Sequence, residues 1–154
     1  MSANLHQVLA ERGLVAQSTD DAIAERLASP CTGYIGFDPT ADSLHVGSLV
    51  PIMALAWMQR CGHRPLVVVG GATALIGDPS GKSAMRRMLT RADVAANAAA
   101  IGDQIATVVR FGDDPTGAVL LDNADWLAPR SWIDFLREVG PHFSVNRMLS
   151  MDSV

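Results

Sequence analysis

The chain is poor in several things, and each shortage removes a class of function. Of its 154 residues only two are cysteine, Cys31 and Cys61, and they form no metal-ligand spacing with His6, His45, His63 or His142. Two reduced thiols are the expected state, although a disulfide between them is possible on paper. No long apolar run exists. The longest, residues 49–58, contains Pro51 and has about half the length a membrane span requires. The amino terminus has no basic region ahead of its apolar pattern, so it does not read as a secretory signal. Positive charge is not in excess either: the formal net charge is −4, which argues against a broad nucleic-acid-binding face. There is no internal repeat and no low-complexity linker. These absences leave a cytoplasmic globular protein of one domain, with enough apolar residues for a core.

The patterns that are present alternate between two periods. Leu5, Val8 and Leu9 fit one helical face that Gly13 can stop, and Thr19 or Asp20 can cap a second helix reaching Leu27. Thr32-Gly33-Tyr34-Ile35-Gly36-Phe37 reads as a strand ended by Asp38-Pro39-Thr40. A helix capped by Asp42 or Ser43 is expected from Leu44 to about Arg60, apolar around most of its circumference. Residues 65–69 form a continuous apolar run before Gly70-Gly71, as in a strand buried on both faces. A long helix is expected over residues 90–111, a third buried strand over 118–121, a helix over 131–139 and the start of another at Ser144. Strand, helix and strand in this order predict an α/β, Rossmann-like parallel sheet flanked by helices.

Ligands of such sheets bind beyond the carboxyl ends of the strands. Three segments fall there. In the first, residues 38–48, His45 and Ser48 stand three apart and share one face of a helix start, and Gly47 lets a ligand approach the backbone. A helix amino terminus suits phosphate, but a plain capped helix with a buried histidine accounts for the spacing equally well. In the second, residues 70–83, the glycines tempt a P-loop reading that fails, because the first glycine of that pattern would have to stand at Ile76. No GxGxxG fingerprint is present. Asp78 can face an ammonium group or simply cap a turn, and Lys82, Arg86 and Arg87 can neutralise pyrophosphate or form a solvated face. In the third, Asn123 and Trp126 can line a pocket, although a tryptophan at such a place is more often core.

Together these segments resemble the tyrosyl-tRNA synthetase family of class I aminoacyl-tRNA synthetases. The stretch Tyr34-Ile35-Gly36-Phe37-Asp38-Pro39-Thr40-Ala41-Asp42-Ser43-Leu44-His45-Val46-Gly47 is similar to the one carrying the HIGH motif. Gly62-His63-Arg64-Pro65, Val69-Gly70-Gly71-Ala72-Thr73, Ile76-Gly77-Asp78-Pro79-Ser80-Gly81-Lys82, Asn123 with Asp125-Trp126, and His142-Phe143-Ser144-Val145-Asn146 follow in the family's order. The resemblance implies the first half of a HUP-type synthetase catalytic domain. It divides the chain into a helical segment (1–30), a βαβ core (31–126) and the start of a dimer-interface region (127–154), together one incomplete domain.

It further implies a ligase that activates tyrosine with ATP, Mg2+ accompanying the nucleotide, and transfers it to tRNA. Tyr34 would bond the substrate phenol, and Asp78 would hold its ammonium group, with Thr73, Asn123 and Trp126 in the same pocket. Asp38 would stand beside tyrosine and ATP. Thr40 and His45 would contact the γ-phosphate, Gly47 would pack adenosine, and Lys82 and Arg86 would clamp pyrophosphate. No resident metal is implied. The carboxylate of tyrosine is already a nucleophile, so positioning and charge stabilisation suffice for the chemistry.

Two departures stand out. Ser48 replaces the motif's second histidine, which predicts slower adenylate formation, by about 1–3 kcal/mol if that contact belongs to the transition state. The chain also stops where a family member continues, and no KMSKS-like segment occurs in it. A truncated ligase is therefore expected, with tRNA binding only if further domains are supplied. The alternative is an inactive tyrosine- or ATP-binding or dimerisation module, alone or paired with a full-length synthetase.

Overall fold

The computed structural model describes residues 4–76 and 89–150. The first helix, α1 (Leu5–Glu11), starts on Asn4, whose side chain accepts the Gln7 N–H, and stops before Gly13 at φ 67°. That positive φ is why glycine ends it. Next, α2 is a single turn (Ile23–Arg26), shorter than the sequence pattern suggests. Asp20 spends its carboxylate on the Ala22 N–H, and the helix begins only after it.

The strand β1 (Thr32–Phe37) has the predicted bounds. The helix α3 (Leu49–Arg60), β2 (Arg64–Val69) and α4 (Gly71–Ile76) follow. Then come α5 (Arg91–Ala106) and β3 (Val119–Asp122). The three strands are all parallel, in the order β1-β2-β3, with Tyr34 opposite Leu66 and Leu66 opposite Val119. The parallel Rossmann-like sheet expected from the sequence is thus present.

Its core lies on one face. Leu55 of α3, Val67 of β2, and Ile105 with Val109 from the α5 region are all 0% exposed. Each such side chain stabilises the fold by about 1.5–3 kcal/mol relative to exposure. Gly33 belongs to this face because Met58 crosses it, with Cε 2.7 Å from where a Cβ would stand.

The other face is less covered. In β2 burial alternates, Pro65, Val67 and Val69 buried and Arg64, Leu66 and Val68 only partly so. This corrects the expectation of a strand buried on both sides. An apolar run alone does not distinguish the two cases.

The helix ends also differ from the sequence pattern. Thr90 starts α5 in a reciprocal capping box with Asp93, as its sequence position suggests. The helix closes at Ala106, five residues early. Three β-branched residues follow, Thr107, Val108 and Val109, and Phe111 bridges to Ala118 alongside the sheet.

At the amino ends of the strands, the Cys31 N–H donates to His63 Nδ1 at 3.2 Å, with Cys31 Sγ 3.3 Å away. His63 therefore carries its proton on Nε2. The ring is 2% exposed, and burial holds its pKa below the ordinary 6.5. Burial also raises the Cys61 thiol, partly offset by the Arg12 charge, and both cysteines are free thiols. The Arg12 and Arg60 guanidinium groups stack on Trp57 at 4.0 and 4.9 Å, joining the end of α1 to α3.

Residues 124–150 form a separate compact unit. It holds α6 (Ala124–Leu127), α7 (Trp132–Glu138) and α8 (Val145–Leu149). The Ser131 and Ser144 side chains accept from the Asp134 and Arg147 N–H groups and so start α7 and α8. Among the described residues no helix is long and apolar enough to cross a membrane.

Candidate active site at the carboxyl end of the sheet

The strand ends are tied to one another. The Gly70 N–H donates to Phe37 O at 2.9 Å, and the Asn123 N–H donates to Val69 O at 2.9 Å. These bonds bring Asp38, Gly70 and Asn123, from three distant parts of the chain, to one edge.

The loop between β1 and α3 is held by α5. Asn97 Nδ2 donates to Pro39 O at 3.1 Å. One turn pair further on, Gln104 Oε1 accepts the Leu44 N–H at 3.0 Å while its Nε2 donates to Asp42 O at 3.1 Å. This explains a correction. Asp42 and Ser43 do not cap a helix beginning at Leu44, because the Gln104 amide already satisfies that backbone.

His45 instead stays extended, at φ −85° and ψ 166°. A short 3-10 turn at Val46–Ser48 precedes α3. His45 and Ser48 consequently do not share one face: His45 is exposed and Ser48 is buried at 9% exposure. The His45 ring lies against Gly47, with Cε1 and Nδ1 each 3.0 Å from where a Cβ would be. A cavity of about 350 Å3 opens beside it, lined by Leu44, His45, Val46, Leu49, Gln104 and Thr107 among others. Asn97 and Gln104 were not among the sequence candidates. Their signal was two amide side chains seven apart, hence on one helical face, within an alanine-rich helix.

The glycine-rich segment after β2 is a helix start. Asp122 Oδ1 accepts the Gly71 N–H at 3.1 Å, and Asn123 Oδ1 accepts the Ala72 N–H at 2.8 Å. Asn123 Nδ2 donates to Thr73 Oγ1 at 3.1 Å, and that hydroxyl donates to Gly70 O at 3.2 Å. Both glycines are required by close approach. A Cβ at Gly70 would stand 2.6 Å from Thr73 Oγ1 and 2.7 Å from Asp38 Oδ1, and one at Gly71 would collide with the Asp122 carboxylate.

Around this turn, Asp38 and Thr40 are exposed, and the Thr40 N–H donates to Asp38 O at 2.9 Å. Tyr34 is 71% exposed and shares its sheet face with the partner residue Leu66, away from the core. Trp126, 45% exposed, belongs to α6 in the second unit. Asp78, Lys82 and Arg86 lie outside the described residues. The edge thus brings Asp38, Thr73 and Asn123 together, with Tyr34 on the open face beneath them.

The sequence model of "tRNA synthetases class I (W and Y)" matches residues 26–154, and the chain belongs to that family. Within it the similarity is to the tyrosine branch. The chain is 54% identical over 157 residues to the tyrosine–tRNA ligase of Novosphingobium aromaticivorans, covering 99% of this chain and 38% of that protein. It is 56% identical over 155 residues to that of Desulfatibacillum aliphaticivorans, covering 99% and 35%. The chain therefore spans little more than a third of the curated relatives it matches.

Among solved structures, a C-terminally truncated Aspergillus nidulans mitochondrial tyrosyl-tRNA synthetase superposes with a TM-score of 0.82 at 28% identity, covering 98% of this chain and 46% of that one. Its Coccidioides posadasii counterpart gives 0.75 at 29% identity, covering 98% and 44%.

Proposed function

We propose that the chain is the tyrosine- and ATP-binding part of a tyrosine–tRNA ligase, acting in the cytoplasm. The observation that carries this reading is the convergence of Asp38, Thr73 and Asn123 around the Gly70 turn, above an exposed Tyr34, in a chain more than half identical to such ligases. Tyr34 would bond the substrate phenol, with Asp38, Thr73, Asp78, Asn123 and Trp126 around the rest of the amino acid. Thr40, His45, Gly47 and Ser48 would face ATP, which brings its own Mg2+. Lys82 and Arg86 would neutralise the departing pyrophosphate.

In the reaction, a tyrosine carboxylate oxygen attacks the α-phosphorus. The bond to the bridging oxygen breaks, and pyrophosphate leaves with that electron pair. The aminoacyl group then passes to tRNA. No proton has to be removed from the nucleophile, so oriented donors and positive charge supply the acceleration. A site that pairs a substrate hydroxyl also discriminates strongly against phenylalanine.

Tyrosine-dependent ATP–pyrophosphate exchange tests the reading. Exchange that is absent with tyrosine and present with tryptophan overturns it. Tyrosine binding without exchange favours the second reading, a binding or dimerisation module. That alternative draws on the apolar side chains exposed on α7 and α8, Trp132 at 70% and Leu149 at 71%, which fit a homodimer or pairing with a longer synthetase. Replacing Tyr34 by Phe is expected to weaken tyrosine binding by about 1 kcal/mol, the net worth of one neutral hydrogen bond, and equilibrium dialysis measures it.

A further inference from the structure

We propose that Asp122 is a positioning residue for the candidate tyrosine site: its carboxylate docks the first turn of α4 onto the end of β3 and so fixes where Thr73 stands. The proposal rests on the tyrosine reading above and adds to it a residue outside the set assigned there to tyrosine and ATP.

The geometry is a two-point clamp. Asp122 closes β3 and Asn123 leaves it, and these consecutive side chains accept from consecutive helix amides, Gly71 at 3.1 Å and Ala72 at 2.8 Å. Both donors belong to the first turn of α4, where no intrahelical acceptor exists for them. A carboxylate there is favoured by the hydrogen bond and by the positive end of the helix dipole. The approach is close enough that Gly71, which is buried, has no room for a side chain. Because these N–H groups are already occupied by the chain itself, the glycine pair serves docking and is not a phosphate cradle.

The clamp matters for substrate because of what stands one residue further on. The Thr73 hydroxyl gives its proton to Gly70 O and receives one from Asn123 Nδ2, so its remaining lone pair points where the turn directs it. Thr73 Oγ1 and Asp38 Oδ1 flank Gly70 at 2.6 and 2.7 Å from the position of a Cβ. A turn that drifts along β3 therefore changes the spacing between those two groups. Asn123 holds the turn at Ala72 and at the Thr73 hydroxyl, and Asp122 adds the tie at Gly71 that sets where the turn leaves the strand edge.

The test uses the whole chain with Asp122→Ala, Asp122→Asn and Asp122→Glu. Amide hydrogen exchange at Gly71 reports the clamp directly, with exchange at Val67 and Ile105 as the measure of global stability. Equilibrium dialysis with tyrosine reports the site. Asp122→Ala is expected to speed Gly71 exchange roughly five- to tenfold, the loss of one helix cap, with Val67 and Ile105 little changed, and to weaken tyrosine binding severalfold. Asp122→Asn keeps an acceptor oxygen at the same distance and should restore both readouts. Asp122→Glu keeps the charge but displaces it, and should resemble Ala.

Should the Ala variant fail to fold, the Asn and Glu variants decide the matter. Glu behaving like the native chain overturns the positional argument, and so does Gly71 exchange that is unaltered in Ala. Faster Gly71 exchange with unchanged tyrosine affinity overturns the link to substrate. If the unaltered chain binds no tyrosine, the tyrosine reading falls and takes the substrate link with it, while the exchange arm still judges the clamp separately.

Discussion

The sheet unit and the helical unit of residues 124–150 are built by different physics. In the first, Leu55, Val67 and Ile105 are fully enclosed, and side chains from distant parts of the sequence close the backbone of loops. In the second, no residue is buried, and Trp132, Ile133, Phe143 and Val145 are each more than three-fifths exposed. Its helices rest on local devices: the Ser131 and Ser144 caps and the Arg130–Glu138 ion pair at 3.1 Å. Tertiary packing holds one region and sequence-local capping specifies the other. The two should therefore respond in opposite ways to core deletions and to cap deletions.

The largest contrast should come from truncating apolar side chains. Leu55→Ala is expected to cost about 2–5 kcal/mol by urea denaturation, and Trp132→Ala no more than about 0.5 kcal/mol. Comparable losses for the two would erase the distinction. Next is Gln104→Ala, which leaves the Leu44 N–H and Asp42 carbonyl without their partner, at about 1–3 kcal/mol. Amide exchange at Leu44 locates that loss, and a change spread evenly over the sheet would contradict it. Smaller is Ser131→Ala, at about 1 kcal/mol and confined to α7. Carbon chemical shifts of residues 132–138 should move towards coil while those of β2 stay fixed.

The finest test is of pH. Burial lowers the folded pKa of His63, so the unfolded chain takes up its proton first, near 6.5. Stability from this group is complete above that value. It declines as pH falls from there towards the lower folded pKa. Urea midpoints from pH 7.5 downwards should therefore fall more steeply in the native chain than in His63→Gln. Equal slopes would show that His63 is not the group responsible.

The same division explains what could be read from the sequence. Elements whose limits are local were legible. Thr32–Phe37 is short and β-branched and ends at Asp38-Pro39, and helices start at Thr90, Ser131 and Ser144 as expected, each of these residues serving as the cap. Limits set by distant side chains were not. The helix at His45 begins late because of an amide 60 residues away, and the Gly70-Gly71 segment resembles a failed nucleotide loop until Asp122 and Asn123, 51 residues on, are seen to cap it. Asp38, Thr73 and Asn123 were identifiable as candidates from their family pattern, and they meet at one edge. Asn97 and Gln104, which hold the candidate ATP loop in place, carry no motif, since their chemistry is ordinary and only their placement is informative.

The pair of hydrogen bonds that Gln104 makes to the loop has a mechanical consequence. An amide presents one donor and one acceptor a fixed width apart, and here both are engaged on neighbouring backbone units, with Asn97 gripping the same loop two turns earlier. Helix and loop are thereby coupled like a rack and its pinion: a slide or roll of α5 is transmitted to His45 without passing through the sheet. A carboxylate at the same position would match the shape and still accept the Leu44 N–H, yet its other oxygen would set an acceptor against the Asp42 carbonyl, so the linkage demands an amide.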